Sequence, residues 1–180
     1  MKFRLTILFI CSILVSSLLV ANVPIASARH VTHSIQSVPT NCNSVNGLPD
    51  PKCTPGSVDP RVTQDNIKNT ICKSGYTKTV RPPVSYTEPL KVKLMKSYGI
   101  KDSLKDYELD HLIPLEVGGN PTDVKNLWPE PWHGNNTASM KDKFENYLHT
   151  QVCTGKMSLK DAQNEIATNW FKYSNNARRP

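Results

Sequence analysis

The chain has 180 residues, of which 38% are hydrophobic, and a formal net charge of +7 at pH 7. This length leaves room for one domain and little more. The positive charge favours polyanionic partners such as nucleic acid, although charge alone identifies none.

The first 28 residues have the pattern of a secretory signal peptide. Lys2 and Arg4 form a basic start, an apolar run covers residues 5–23, and residues 26–28 supply the small side chains that signal peptidase requires. We therefore expect a secreted protein that begins near Arg29, has a net charge of +5 and is not stably associated with a membrane. The alternative is an uncleaved membrane anchor, because the apolar run approaches spanning length.

Four cysteines follow the signal, an even number in a chain bound for an oxidising compartment. Two disulfides are therefore expected. No C-x-x-C pair is present, which argues against a zinc site built on thiolates. Three pairings are open to four cysteines, and we favour a local bond from Cys42 to Cys53 with a long-range bond from Cys72 to Cys153.

Residues 29–58 are rich in Ser, Thr, Asn and Pro, and this composition predicts a linker that contains one small disulfide loop. The folded domain is predicted over residues 59–180. Thr63 is expected to cap a short helix that leads into Cys72. A second helix is predicted to begin at Thr87 with Pro89 in its first turn.

The following part of the chain predicts a short strand over Tyr107–Ile113 and an extended segment over Asn126–Trp128, separated by a glycine-rich turn. Two amphipathic helices are then predicted, one starting at Ser139 and one at Ser158. The expected fold class is α+β, with a two-stranded element, a helix after it and three further helices around them.

The stretch YELDHLIPLEVGGNPTDVKNLWPEP at residues 107–131 places Asp110 beside His111, with Asn126 fifteen positions later. Its DHLIPLEVGG and NLWPE blocks resemble the HNH endonuclease superfamily, in a secreted bacterial variant. The resemblance is strongest there, extends more weakly to Cys153 and covers less than half of the mature chain. The segments TPGSVDP and SGYTKTVRPP also resemble such proteins. The resemblance implies a small ββα-metal core.

The same resemblance implies a role for each motif residue. His111 corresponds to the general base that deprotonates a water, and its ordinary pKa suits that role. Asp110 corresponds to a ligand of one divalent ion. Asn126 corresponds to the residue that holds the loop between the strands. Oxygen ligands suit Mg²⁺ first, with Mn²⁺ or Ca²⁺ as alternatives.

The third metal ligand is less well defined, because the commonest pattern of the superfamily ends in histidine. The family-like spacing reaches Asn135, while Asn136 and His133 are neighbours that could serve instead. An amide is a neutral and weaker ligand than an imidazole. Three lysines flank this site and are candidates for phosphate contacts, or else form solvated faces; they are Lys125, Lys141 and Lys143.

Other conspicuous side chains are expected to serve packing. His149 lies on the helix predicted after Ser139 and is expected to be partly buried. The tryptophans are expected in the core, and these are Trp128, Trp132 and Trp170. The sequence thus predicts a secreted, monomeric, metal-dependent endonuclease that cleaves DNA or RNA with low sequence specificity. The alternative is a non-catalytic secreted binding module on an HNH-like scaffold.

Overall fold

The computed structural model describes residues 37–177. The predicted signal peptide and the first part of the predicted linker therefore lie outside the described residues. Within this range, no helix is long and apolar enough to cross a membrane.

Two strands and four α-helices form the described part of the chain. In chain order they are α1 (Tyr76–Val80), α2 (Val84–Ser97), β1 (Tyr107–His111), β2 (Leu127–Pro131), α3 (Ala138–Cys153) and α4 (Leu159–Ala177). Short 3₁₀ turns cover Gln64–Asn69, Leu104–Asp106, Leu115–Val117 and Val124–Asn126. The strands pair antiparallel in a two-stranded sheet, with Leu109 opposite Pro129. The predicted α+β class is confirmed.

The two α-helices before the sheet are not as the sequence predicted. Helix α2 begins at Val84, three residues before the predicted start, so Pro89 lies inside the helix and not in its first turn. Pro83 precedes it with an extended backbone, at φ −70° and ψ 156°, and forms its N-cap. Helix α1 was not predicted, because its five residues bury no side chain and so leave no apolar periodicity to recognise.

The strand and helix bounds that follow agree with the predictions within a few residues. Strand β1 ends at His111 and not at Ile113, since the chain then enters a loop. Helix α3 begins at Ala138 behind Thr137, one residue before the predicted start. Helix α4 begins behind Ser158 as predicted, and the Ser158 hydroxyl oxygen accepts a hydrogen bond from the Asp161 amide at 3.1 Å.

Both predicted disulfides are present. Cys42 bonds to Cys53, and Cys72 bonds to Cys153 at the end of α3. The disulfide between Cys72 and Cys153 joins residues that are 81 positions apart in the sequence. On the entropic model, closing such a loop stabilises the fold by roughly 4 kcal/mol.

Residues 37–58 are packed against the domain, which corrects the prediction of a linker up to residue 58. Cys42 and Thr54 are buried. The Gly56 amide donates to the carbonyl oxygen of Lys125 at 2.9 Å, and the Cys42 amide donates to that of Ser97 at 3.0 Å. Polar composition predicted a linker with one small disulfide loop, and the disulfide together with these backbone hydrogen bonds holds the segment against the domain. The folded unit therefore begins before Asp59.

The larger hydrophobic core lies between α3, α4 and the loop that follows β1. Its fully buried members are Val117, Trp128, Leu148, Val152, Ala162 and Ile166. A smaller cluster joins α2 to the sheet and consists of Leu90, Leu94, Val124 and Leu127. Together the two clusters fix β1 and β2 between helices on either side.

Candidate functional site

A single buried amide holds the loop that connects β1 to β2. The Nδ2 of Asn126 donates to the carbonyl oxygens of Ile113 at 2.9 Å and Asn120 at 3.0 Å. Its Oδ1 accepts from the amides of Ile113 at 2.9 Å and Ser57 at 3.3 Å. Asn126 is completely buried, and four hydrogen bonds of this kind leave the loop few alternative conformations. It therefore has the loop-holding geometry that the resemblance implies.

The glycine pair in the same loop is required by close packing. A Cβ atom on Gly119 would lie 1.7 Å from the carbonyl oxygen of Ile113. Gly118 has a φ of +77°, and a Cβ atom there would lie 2.9 Å from the Val62 side chain. Only glycine fits both positions, so the motif letters GG reflect the tight closure of this loop.

His111 ends β1 and faces this loop. Only 5% of the residue is exposed, and its Nε2 lies 3.0 Å from the carbonyl oxygen of Pro121. A carbonyl oxygen accepts only, so Nε2 carries the hydrogen and the lone pair of the neutral ring is on Nδ1. Burial lowers the pKa of His111, although the charge of Asp110 opposes this effect. The imidazole is therefore neutral at pH 7.

Three carboxyl groups come together on the hairpin, and we call them the acidic cluster: Glu108, Asp110 and Glu130. Glu108 and Asp110 are two positions apart on β1 and therefore share one face of the strand. Glu130 of β2 is the direct cross-strand partner of Glu108. One carboxylate oxygen from each residue lies within 4.8 Å of the other two. Glu130 is 1% exposed, and its Oε1 has no hydrogen-bond partner within residues 37–177. The sequence analysis missed Glu130 altogether.

Lys141 links the acidic cluster to α3. Its side chain is fully buried, and its Nζ donates to the Asp110 Oδ2 at 2.6 Å and the His111 carbonyl oxygen at 2.8 Å. The third hydrogen bond goes to Glu145 Oε1. These bonds use all three hydrogens of the ammonium group. Lys141 thus forms buried ion pairs with Asp110 and Glu145, and its predicted role as a phosphate contact was wrong.

The carboxyl groups around Lys141 differ in how readily they ionise. Burial opposes the ionisation of Asp110, but the Lys141 ammonium outweighs it and holds the pKa of Asp110 below its usual value. Burial and the Asp110 charge raise the pKa of Glu108 to about 7 and that of Glu130 well above its usual value. Burial also raises the pKa of Glu145 to about 8. The Lys141 ammonium therefore keeps Asp110 ionised and also contacts Glu145, while Glu108 and Glu130 make no ion pair within residues 37–177.

The candidate third ligands lie beside the N-terminal disulfide loop. Asn136 is buried, and its Nδ2 donates to the carbonyl oxygen of Asn46 at 2.7 Å. Asn135 is exposed and, with His133 and Tyr107, lines a polar pocket of about 350 Å³. Neither asparagine makes a hydrogen bond to the acidic cluster in the part of the chain that the structure describes.

Arg81 is a further candidate that the analysis of motifs missed. It caps the C-terminal end of α1, and its side chain is exposed. Burial dominates the pKa shifts of Glu108 and His111, and the Arg81 guanidinium adds a smaller electrostatic contribution to both. Arg81 belongs to the segment SGYTKTVRPP, and the resemblance of that segment was the one signal that pointed to it.

The remaining sequence candidates separate into packing residues and surface residues. His149 is half-buried as predicted, and its Nε2 lies 2.9 Å from the carbonyl oxygen of Ile71. Its neighbours Cys72 and Cys153 are joined in a disulfide and offer no thiolate to a metal. Trp128 and Trp170 are buried as predicted, whereas Trp132 is 40% exposed. Lys125 and Lys143 are exposed, so their predicted phosphate contacts stay predictions.

The hairpin thus carries two chemically different groups. His111 offers a neutral imidazole of fixed tautomer, and the acidic cluster offers oxygen ligands with too little positive charge nearby. Arg81 acts electrostatically on both. Comparison of the chain with family models, with curated proteins and with solved structures gave no match.

Proposed function

We propose that the mature chain is a secreted, metal-dependent endonuclease of the HNH type that hydrolyses phosphodiester bonds of DNA or RNA with low sequence specificity. The observation that carries this proposal is the hydrogen bond from His111 Nε2 to the Pro121 carbonyl oxygen. It fixes one tautomer of a neutral imidazole, which faces the loop held by Asn126 and lies next to a group of carboxylate oxygens that could hold a metal ion.

In this proposal His111 is the general base. Its Nδ1 accepts a proton from the water molecule that attacks phosphorus. Its Nε2 keeps its own hydrogen, which is donated to the Pro121 carbonyl oxygen in a hydrogen bond. The lowered pKa keeps the ring unprotonated and ready to accept that proton at neutral pH. Asn126 acts through position only, since its amide is fully engaged with the loop backbone.

The residues present fit a divalent ion such as Mg²⁺, with Mn²⁺ or Ca²⁺ as alternatives. Carboxylate oxygens are the ligands that these hard cations prefer. The buried and unpartnered Glu130 Oε1 indicates that the described protein groups leave one oxygen without a donor. When bound, such an ion neutralises negative charge on the phosphate oxygens. Asp110 is the predicted ligand that lies in this group of oxygens.

Contacts to the nucleic acid would be mainly electrostatic. The net charge of +5 after Lys2 and Arg4 are removed favours a polyanion. Exposed Arg81, Lys125 and Lys143 are available for phosphates, and such contacts carry no sequence information. This arrangement is consistent with low sequence specificity and with binding that weakens steeply as salt increases.

A second candidate function is a non-catalytic binding module, and two specific observations favour it. His111 exposes only 5% of its surface, which restricts the approach of a water and a phosphate. The Lys141 ammonium lies 2.6 Å from the Asp110 Oδ2 and already neutralises that carboxylate. In this second function the hairpin serves as a scaffold and catalyses nothing.

Cleavage of plasmid DNA and of single-stranded RNA separates the two functions. The purified mature protein is incubated with Mg²⁺, Mn²⁺ or Ca²⁺, with and without chelator. We expect cleavage that the chelator abolishes, and loss of cleavage in His111→Gln. His149→Gln is the matched control, because His149 also bonds to a backbone carbonyl but lies outside the site. Circular dichroism establishes that each variant is folded. Full activity in a folded His111→Gln variant would favour the binding module.

A calorimetric metal titration separates the roles of the two motif residues. His111→Gln should retain nearly all metal affinity, because the imidazole moves a proton and does not bind the ion. Asp110→Asn should lower metal affinity and activity together, because it removes a charged oxygen ligand. Loss of metal binding in His111→Gln would show that the imidazole is a ligand, against the role proposed for it.

A further inference from the structure

The cross-strand pair Glu108 and Glu130 is unusual for a two-stranded sheet. Like charges directly opposite each other destabilise an antiparallel pair. Buried carboxyl groups are ordinarily hydrogen-bonded or paired, yet Glu130 is 1% exposed and its Oε1 finds no donor among the described residues. This oxygen therefore points to a ligand that satisfies it.

We propose that Glu108, Asp110 and Glu130 are the protein ligands of the divalent cation, in place of the asparagines that the resemblance implies. The proposal rests on the proposed function only for the reaction that the cation serves. Binding of the cation follows from the acidic cluster itself.

The spacing of the oxygens suits one ion. One oxygen from each of the three residues lies within 4.8 Å of the others. Two oxygens that bind the same ion at about 2.4 Å, a Ca²⁺ distance, are at most about 4.8 Å apart. The three oxygens are therefore close enough together to serve one hard divalent cation.

Lys141 bonds to one member of the acidic cluster and leaves the other two without a hydrogen bond from its ammonium group. Its Nζ bonds to one oxygen of Asp110, the Oδ2, and its other two hydrogens go to Glu145 and to the His111 carbonyl oxygen. The ammonium therefore neutralises one negative charge and positions the Asp110 carboxylate. Glu108 and Glu130 make no hydrogen bond to it, and a divalent cation supplies the charge that these two carboxylates need.

The two asparagines contact a different part of the chain from the acidic cluster, although the buried Oδ1 of Asn136 also has no partner among the described residues. Asn136 Nδ2 donates to the carbonyl oxygen of Asn46 at 2.7 Å, which ties the start of α3 to the N-terminal disulfide loop. The backbone of Asn135 packs so closely on the same loop that a Cβ atom on Gly47 would lie 2.3 Å from its carbonyl oxygen. These contacts give the pair a structural role at that junction.

The test is calorimetric titration of the mature protein with Ca²⁺ and Mn²⁺, which does not depend on cleavage. Glu130→Gln keeps the size of the side chain and should weaken binding of both ions at least tenfold. Glu108→Gln, at a more exposed position, should weaken it severalfold. Glu88→Gln, an exposed glutamate of α2, is the matched control and should bind as wild type does. Asn135→Ala should also bind as wild type does.

Thermal unfolding in chelator and in excess Ca²⁺ provides a second readout. A cation that binds the folded state alone raises Tm, and the rise should be lost in Glu130→Gln and Glu108→Gln. Wild-type affinity in both folded variants would overturn the proposal, as would loss of binding in Asn135→Ala. Should Glu130→Gln fail to fold in either condition, Glu108→Gln decides alone.

The same titrations distinguish this inference from the proposed function. Metal binding that both glutamate variants weaken, in a wild-type protein that cleaves no nucleic acid, would uphold the cation site and refute the endonuclease. Metal-dependent cleavage with unchanged metal affinity in both variants would refute the ligand assignment and uphold the endonuclease.

Discussion

The loop held by Asn126 and the acidic cluster belong to one hairpin, but they are stabilised in opposite ways. Every polar atom of the Asn126 amide is hydrogen-bonded to backbone, and the group carries no charge. In the acidic cluster, Asp110 is bonded to the Lys141 ammonium, whereas Glu108 and Glu130 are not, and Glu130 Oε1 has no partner among the described residues. The first region is complete as folded. The second leaves a buried carboxylate oxygen without a partner among the described residues, and functional sites are where such exceptions are expected.

The largest effect on stability is expected from removing the Lys141 ammonium from the acidic cluster. Lys141→Met leaves the partly buried Asp110 carboxylate without a counter-ion, and breaking a pair whose ammonium is fully buried costs about 3–5 kcal/mol of the free energy of unfolding. Urea unfolding measures the loss. Lys143→Met, on the exposed face of the same helix, should change stability by less than about 0.5 kcal/mol. Similar small losses in both variants would show that the ion pair is not a structural element.

A slightly smaller loss is expected from the neutral region. Asn126→Ala removes four hydrogen bonds and leaves loop backbone groups unsatisfied, at a cost of about 2–4 kcal/mol. Asn146→Ala is the control, because that exposed amide makes one hydrogen bond, to the Asp142 carbonyl oxygen. The same urea titration applies. A folded Asn126→Ala protein as stable as Asn146→Ala would contradict the loop-holding role.

The neutral region has a recognisable sequence motif because most of its partners are local. Asn126, the two glycines and the carbonyl oxygens they meet all lie within one short loop, so a motif describes them. The acidic cluster depends instead on strand register, which places Glu130 opposite Glu108. It also depends on the docking of α3, which brings Lys141 to Asp110 from 31 positions away. Tertiary placement of this kind has no local sequence signature.

The N-terminal segment shows the same limit. Residues 37–58 have the composition of a linker, yet Ser57 donates to Asn126 and thereby becomes part of the site loop. Composition reports how much apolar surface a segment can bury. It does not report that a disulfide and a few backbone hydrogen bonds fix the segment to a preformed surface.

A moderate effect on the free energy of unfolding is expected from pH, measured in chelator so that no divalent cation contributes. The pKa of Glu108 is about 7 in the folded state, above its usual value of 4.5, so folding favours the protonated form. Its contribution to the free energy of unfolding is therefore present at low pH and is lost as pH rises from about 4.5 to about 7. His111, whose pKa is lowered, contributes with the opposite sign over part of this range.

The contribution of Glu108 is isolated by comparing variants and not by the wild-type profile alone. Glu108→Gln should remove the loss, so its free energy of unfolding relative to wild type should increase between pH 5 and pH 7, about the window set by the two pKa values. Glu88→Gln should run parallel to wild type. A Glu108→Gln profile that also runs parallel to wild type would mean that Glu108 ionises normally.

The smallest effect is expected at the surface of the neutral region. Lys125 is exposed on the loop that Asn126 holds, and it is free to contact a phosphate, unlike the buried Lys141. Lys125→Gln should weaken nucleic-acid binding by roughly twofold to tenfold and lower the slope of log affinity against log salt by about one. Its stability to urea should not change. Fluorescence anisotropy over a salt series measures both binding quantities, with Lys160→Gln on α4 as the exposed control. Because the loop is held by Asn126, the backbone of Lys125 is held in place, and a loss specific to Lys125 would indicate that the loop helps to place the phosphate. Equal losses in the two variants would mean that binding follows the overall charge and not this loop.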